Sequence, residues 1–179
     1  MKRSPEPEKT ADATAVQPCP WADLNEAGDG LTVDNFLTTL MSHVGNALRR
    51  TVTLPYAEQH GMTVAEWRML SVLAQAHTLP FSELVVLSST DKALVSRTLR
   101  LLEERGLVEL HSEGNTPRKK LICIISPAGQ ALHDQVIPIA RQRQAAMLRV
   151  LSPEERRVMH RSLKKLQQAC IAGPADGKD

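Results

Sequence analysis

The sequence predicts a mainly α-helical chain carrying one small β-hairpin, on three observations. Apolar residues make up 42% of the chain but aromatic residues only 3%, a balance that suits packed helices better than stacked sheets of β-branched and aromatic residues. Most of the chain between residues 31 and 172 repeats its apolar residues at spacings of three and four, the period of one helix face. The stretch from Leu107 to Ile125 breaks that rhythm with two short apolar runs around a turn, which is the pattern of a hairpin.

The elements follow in order. Residues 1–30 hold Pro5, Pro7, Pro18, Pro20, Gly28 and Gly30 without any apolar period, and are expected to be a disordered N-terminal arm. Residues 173–179 are expected to be a disordered tail, leaving 31–172 as the folded part. Val33, Phe36, Leu37, Leu40, Met41, Val44 and Leu48 line one face of a first helix over 32–54, which should end near Pro55 because proline cannot continue the hydrogen-bond ladder. Thr63-Val-Ala-Glu66 is a capping box, so a second helix starts there with Trp67, Leu70 and Leu73 facing inward.

A short helix over Phe81–Leu87 is followed by Ser88, Ser89 and Thr90, hydroxyl residues suited to capping a further helix from Asp91. That is helix-turn-helix spacing. The further helix should stop at Arg105-Gly106, where glycine supplies a left-handed cap. Leu107–His111 and Leu121–Ile125 then read as strands joined by a Glu113–Pro117 turn, a wing beside the helix-turn-helix. Capping boxes at Ser126–Gln130 and Ser152–Glu155 open two last helices, with Pro127 and Pro153 at their first positions. The apolar faces of these helices, Leu132 to Leu151 and Val158 to Leu166, need something to pack on.

The fold class is therefore mainly α with a β-hairpin wing: a winged helix-turn-helix over 63–125, with helices over 32–54 and 127–172 left for another role. On a helical wheel the helix from Asp91 places Leu94, Val95, Thr98, Leu99, Leu101 and Leu102 on one side. Lys92, Ala93, Ser96, Arg97 and Arg100 fall on the other. A helix enters the major groove when its outward side chains are small or are long donors, and Arg97 suits a bidentate contact to guanine. Lys92 and Arg100 suit phosphates. Arg118, Lys119 and Lys120 on the wing add a second cationic element suited to the minor groove. A basic helix face is more often only a solvated one; two basic elements in one architecture favour double-stranded DNA.

The net charge of +2 does not decide the matter, since a cationic face can sit on a nearly neutral protein. Cys19, Cys123 and Cys170 are far apart and form no paired motif, so neither a disulfide framework nor a zinc knuckle is expected. No histidine pair has metal-ligand spacing, and no apolar run approaches a membrane span. A cytoplasmic protein without metal, cofactor or membrane partner is expected. No phosphate-binding glycine loop or nucleophile elbow is present, so no enzyme is expected.

Thr63–Leu70, Thr90–Arg97, Leu102-Glu-Glu-Arg-Gly-Leu-Val108 and Ile125-Ser-Pro-Ala-Gly129, taken together, resemble the MarR family of winged helix-turn-helix transcriptional regulators. The likeness runs over about residues 32–170. In the family the wing usually carries Asp-x-Arg, whereas this chain has Pro117, Arg118 and Lys119. Pro80 stands where the family favours a hydroxyl cap.

The resemblance implies a homodimer through the first and last helices, a pseudopalindromic operator, and repression relieved by a small effector, often an aromatic acid. The effector would enter between the dimer helices and the winged domain. Ser42, His43, Arg49, His60, Trp67 and Arg68 are the candidates to line that crevice, by stacking on a ring and neutralising a carboxylate. Each has a plainer role available, Trp67 as a core anchor and Arg68 as a surface cation. The branch of the family answering to hydroxylated nicotinate is one option for the effector. Cysteine-based redox sensing and a protein-interaction module without specific DNA binding are the alternatives.

Overall fold

The computed structural model of the chain describes residues 19–114 and 120–173. It divides into two compact units, Met1–Gly45 and Asn46–Asp179.

In the first unit, residues 19–30 carry local turns, so the description of the fold begins earlier than the expected residue 31. The Asn25 side chain bonds both the amide and the carboxylate of Asp29, each at 3.0 Å, and the Trp21 indole donates to the Asn35 carbonyl at 2.8 Å. Side-chain partners of this kind replace the missing apolar period. Residues 1–18 of the expected arm lie outside the described residues. A 3-10 turn, Val33–Asn35, precedes helix α1, Leu37–Leu48.

In the second unit a π-helical turn, Arg49–Thr53, leads directly into α2, Leu54–Gln59. The expected end near Pro55 is thus corrected: Pro55 lies in the first turn of α2, where its absent N–H is not needed. The chain leaves the helix only at His60 and Gly61, the latter at φ +65. Helix α3, Val64–Ala76, has the expected capping box, with Glu66 N donating to Thr63 Oγ1 at 3.1 Å and Thr63 N to Glu66 Oε2 at 2.7 Å. It ends on His77, held at φ 63 and ψ -44.

Strand β1, Thr78–Pro80, was not expected from the sequence; three residues are too few to show a period of two. It pairs with β3 through Leu79 opposite Cys123, so the sheet has three antiparallel strands in the order β1-β3-β2. Helix α4 spans Phe81–Ser88 and α5 spans Lys92–Glu104. The cap of α5 is Asp91, whose Oδ1 accepts from Leu94 N at 2.9 Å, not one of the three preceding hydroxyls. Two of those hydroxyls donate backwards instead, Ser88 to Val85 O at 3.0 Å and Thr90 to Ser88 O at 3.0 Å.

At the other end of α5, Gly106 takes φ +67, with its amide on Glu103 O and the Leu107 amide on Leu102 O. This paired closure satisfies two carbonyls at the helix end. Strands β2, Val108–Glu113, and β3, Lys120–Ile125, form the wing, while the expected turn at Asn115–Pro117 lies outside the described residues. Helix α6 is Pro127–Leu148 and α7 is Pro153–Ala172. Ser152 and Glu155 close the expected box on α7. Ser126 caps α6 through Gly129 N, but Gln130 is one residue too late to complete a box and bonds Asp134 at 2.8 Å instead.

The core of this unit joins α3, α4, α5, the sheet and the first half of α6 around Met69, Leu70, Leu73, Leu84, Val95, Leu99, Leu102 and Val136. Each of these is at most 1% exposed, and burying an aliphatic side chain to this degree stabilises by about 1.5–3 kcal/mol before chain entropy is subtracted. By contrast Val158, Met159, Leu163 and Leu166 on α7 stay exposed, as do Leu37, Leu40, Met41 and Val44 on α1. Among the described residues no helix is long and apolar enough to cross a membrane.

Candidate nucleic-acid interface

Helix α5 buries Val95, Thr98, Leu99 and Leu102 and turns Lys92, Ala93, Arg97 and Arg100 to solvent, with Ser96 half-buried between the faces. Five of the predicted DNA-contacting residues therefore share one helix. Leu101 departs from expectation: it is 49% exposed because it lies one turn beyond Arg97 and only about 40° round the helix from it. An apolar side chain there flanks the basic face. Val86 and Leu87 on α4 are exposed as well.

Lys120, the wing residue of the prediction that is described, is exposed on β3 and stands opposite Glu113 in the ladder. Arg118 and Lys119 lie outside the described residues. The outward positions of β2 are Glu109, His111 and Glu113, with Glu109 and His111 paired at 3.0 Å. Of the two elements proposed to meet DNA, the described cations thus lie mostly on α5 rather than on the hairpin.

The helix is fastened at both ends. At its start, the turn from α4 holds Ser89 at φ 50, and Arg68 Nη1 reaches the Ser88 carbonyl at 3.4 Å. At its end, Ser126 Oγ donates to Gly106 O at 2.6 Å and Ser126 N to Leu107 O at 3.1 Å. Gly129 completes the junction, since a Cβ there would stand 2.0 Å from Leu107 O. The Ser-Pro-Ala-Gly motif is therefore a joint between α5, the wing and α6.

A second fastening was not visible in the sequence: Arg105 Nη1 donates to Glu66 Oε1 at 2.8 Å across 39 positions. Glu66 is 5% exposed. Burial pushes its carboxyl up, but hydrogen bonds from Thr63 and the Arg105 guanidinium outweigh this and hold it below the ordinary carboxylate value.

The effector candidates do not form one group. Trp67 is 6% exposed, stacked on His133 at 5.6 Å and edge-on to Tyr56 at 5.7 Å. It lines a crevice of about 460 Å³ with Tyr56, Ser71, Ile137, Ala140, Arg141, Gln144, Ala145 and Leu148. Arg68 is turned to the α4 end and away from this group. Arg49 is exposed on the π turn, and His60 is half-buried with its Nε2 unpartnered. Ser42 and His43 are exposed on α1, in the first unit. Tyr56, Ser71, Arg141 and Gln144 line the crevice without having been singled out from the sequence; the i, i+4 rows Trp67–Ser71, Ile137–Arg141 and Ala140–Gln144 carried the signal.

Burial and the nearby Glu103 carboxylate push the Cys123 thiol up to about 11, so it stays protonated and inert at neutral pH. Among the described residues no cluster of three metal-ligating side chains occurs.

The capped recognition-type helix, its helix-turn-helix partner and the two-stranded wing of the three-stranded sheet define a winged helix-turn-helix protein with a basic helix face turned outward. Residues 60–118 match the MarR family. It is 29% identical over 137 residues to the HTH-type transcriptional repressor Rv2887 of Mycobacterium tuberculosis, covering 76% of this chain and 97% of the relative. A solved structure of the Mycobacterium tuberculosis MarR family protein Rv2887 in complex with salicylic acid superimposes with a TM-score of 0.59 at 29% identity, over 76% of this chain and 99% of that one. A MarR/EmrR family transcriptional regulator from Acinetobacter sp. ADP1 gives a TM-score of 0.67 at 27% identity, over 77% and 96%.

Proposed function

We propose that this chain is a MarR-family transcriptional regulator that binds double-stranded DNA sequence-specifically as a homodimer, represses from its operator, and releases it when a small aromatic acid occupies the Trp67 crevice. The observation that carries the DNA reading is the outward face of α5, where small Ala93 and Ser96 flank Arg97 and Arg100 on a helix fixed at both ends. Small residues let the helix approach the base edges, and the arginine supplies a bidentate donor for guanine. Phosphate contacts are assigned to Lys92, Arg100 and Lys120, and to Arg118 and Lys119 as sequence-level assignments. Dimerisation is supported by the exposed apolar rows of α1 and α7. Two-fold symmetry then places two half-sites roughly 34 Å apart, about 10 bp from centre to centre.

The effector reading rests on the crevice itself: aromatic walls from Tyr56 and Trp67, and one cation, Arg141, at its edge. Such a site takes a flat ring and a carboxylate. Salicylate is the first compound to try, because a relative has been solved with it; a hydroxylated nicotinate is the second. Of the six residues proposed from the sequence, Trp67 is retained as the stacking surface, with Arg49 and His60 as secondary candidates, Ser42 and His43 kept as assignments from the sequence alone, and Arg68 assigned to the helix-turn-helix. A ligand acts here only through its different affinities for the DNA-competent and released states.

The test is a fluorescence-anisotropy titration of the full chain against its own promoter DNA and a scrambled duplex at two salt concentrations, repeated with salicylate. Tight, competitor-resistant binding that weakens steeply with salt supports the regulator. Equal weak binding to both duplexes favours a protein-interaction module.

A further inference from the structure

The packing of α5 on α3 is built from Leu70, Leu73, Val95, Leu99 and Leu102. Apolar ridges and grooves hold two helices together but resist sliding and rolling only weakly, and observed crossing angles scatter by about 15–20° within one class. Base contacts demand closer control, because a bidentate bond to guanine needs its donors within a few tenths of an ångström. A directional bond between the two helices must therefore supply the register.

Glu66 and Arg105 form one. The carboxylate is itself pinned by the Thr63 amide on its second oxygen, at 2.7 Å, so it cannot follow a moving partner. Arg105 is the C-terminal cap of α5, directly before the left-handed Gly106. The buried anchor is thus on α3, and the tethered group caps α5 three positions before the first wing strand. Charge-assisted bonds of this geometry combine strength with direction, and the best attested use of buried ionic groups is to fix register rather than to add stability.

We propose that Glu66 and Arg105 are positioning residues for DNA recognition, a clamp that sets the register of α5 on α3 and thereby the discrimination between operator and other DNA. The inference rests on α5 being the recognition helix. Neither residue touches the bases; both act through Ser96, Arg97 and Arg100.

The test uses the full chain and a duplex selected by the wild type from a randomised library, with a scrambled duplex as reference. The ratio of the two affinities is measured for Glu66→Gln, Arg105→Gln, the double variant and Arg105→Lys. Glutamine at 66 keeps an acceptor for the Thr63 amide but loses the charge. The two single variants change net charge in opposite directions, so their electrostatic effects on overall DNA affinity are opposite, while both remove the clamp. The expected result is a loss of about tenfold or more in the ratio for each single variant, no further loss in the double variant because the pair is shared, and recovery of most of the ratio by Arg105→Lys. Affinity for the scrambled duplex should move up for Glu66→Gln and down for Arg105→Gln.

Circular dichroism at the assay temperature separates folding from positioning. Should Glu66→Gln fail to fold, the two Arg105 variants carry the test, since that side chain is 36% exposed. Folded variants that discriminate as the wild type does, or losses that add independently, overturn the clamp and leave the DNA reading standing. A wild type that selects no sequence overturns the DNA reading and the clamp with it.

Discussion

At Gly129 the backbone of α6 runs so close to the chain just before β2 that a methyl group would stand 2.0 Å from the Leu107 carbonyl. Relief requires moving main chain on one side, so Gly129→Ala is expected to destabilise by about 3 kcal/mol, the upper end of overpacking costs, and chemical denaturation at fixed protein concentration checks it. His77 presents the opposite case, a non-glycine residue at φ 63 and ψ -44 whose amide and carbonyl both hold backbone partners. His77→Gly removes that strain and should raise stability by up to about 1 kcal/mol after its cost in chain entropy, read as a higher denaturation midpoint. Glu66 adds a pH dependence. Its carboxyl lies below the ordinary value in the fold, so its contribution is present above the unfolded value and is lost as pH falls through the folded one. The acid limb of the stability profile should be shallower in Glu66→Gln than in wild type. At this scale the sequence was readable where the partner is close by: Thr63 with Glu66, Ser152 with Glu155, Gly106 at the end of α5. It was unreadable where the partner is remote, as for Arg105, because nothing local marks a residue 39 positions away as its acceptor.

Among the elements, α5 depends on its caps. Asp91→Ala removes the acceptor for Leu94 N and should cost about 1 kcal/mol, with the first turn fraying and Lys92 and Ala93 losing their fixed placement. Operator affinity should fall more than global stability, as a titration beside a thermal melt will show. Arg97→Ala is expected to remove about 1–3 kcal/mol of binding and to relax preference at one base position, checked by substituting each base of the selected duplex. Helices α3 to α7 were legible because each combines an apolar period with a cap or a breaker. Strand β1 was not, being three residues whose role is set by pairing with β3. The passage through Pro55 was misjudged because a π turn and a restarted helix absorb a proline that would end an uninterrupted one. Leu101 was placed on the wrong face because hydrophobic character alone assigned it, whereas its angle to Arg97 sets its exposure.

For the whole molecule the prediction concerns charge and assembly together. A dimer that presents Lys92, Arg97, Arg100 and Lys120 twice should lose DNA affinity steeply with salt, by a slope of about 0.9 for each phosphate neutralised. Lys92→Ala should flatten that slope by roughly two per dimer while leaving sequence preference intact. The proposed dimer would also cover α1 and α7, whose apolar rows remain exposed in the single chain. Composition and periodicity foretold these faces, but only a second copy can say which surfaces they cover.

The joint of Gly106, Leu107, Ser126 and Gly129 also bears on how such proteins can be recombined. A graft of residues 92–104 alone into a relative would carry the side chains proposed to face the bases but leave Ser126, Gly129 and Glu66 behind in the donor. The smallest transplantable cassette that brings its own fastenings runs from Thr63 through Gly129. Chimaeras cut at those two positions should inherit the donor's sequence preference, whereas cuts at the helix ends should yield folded proteins that bind DNA without choosing among sequences.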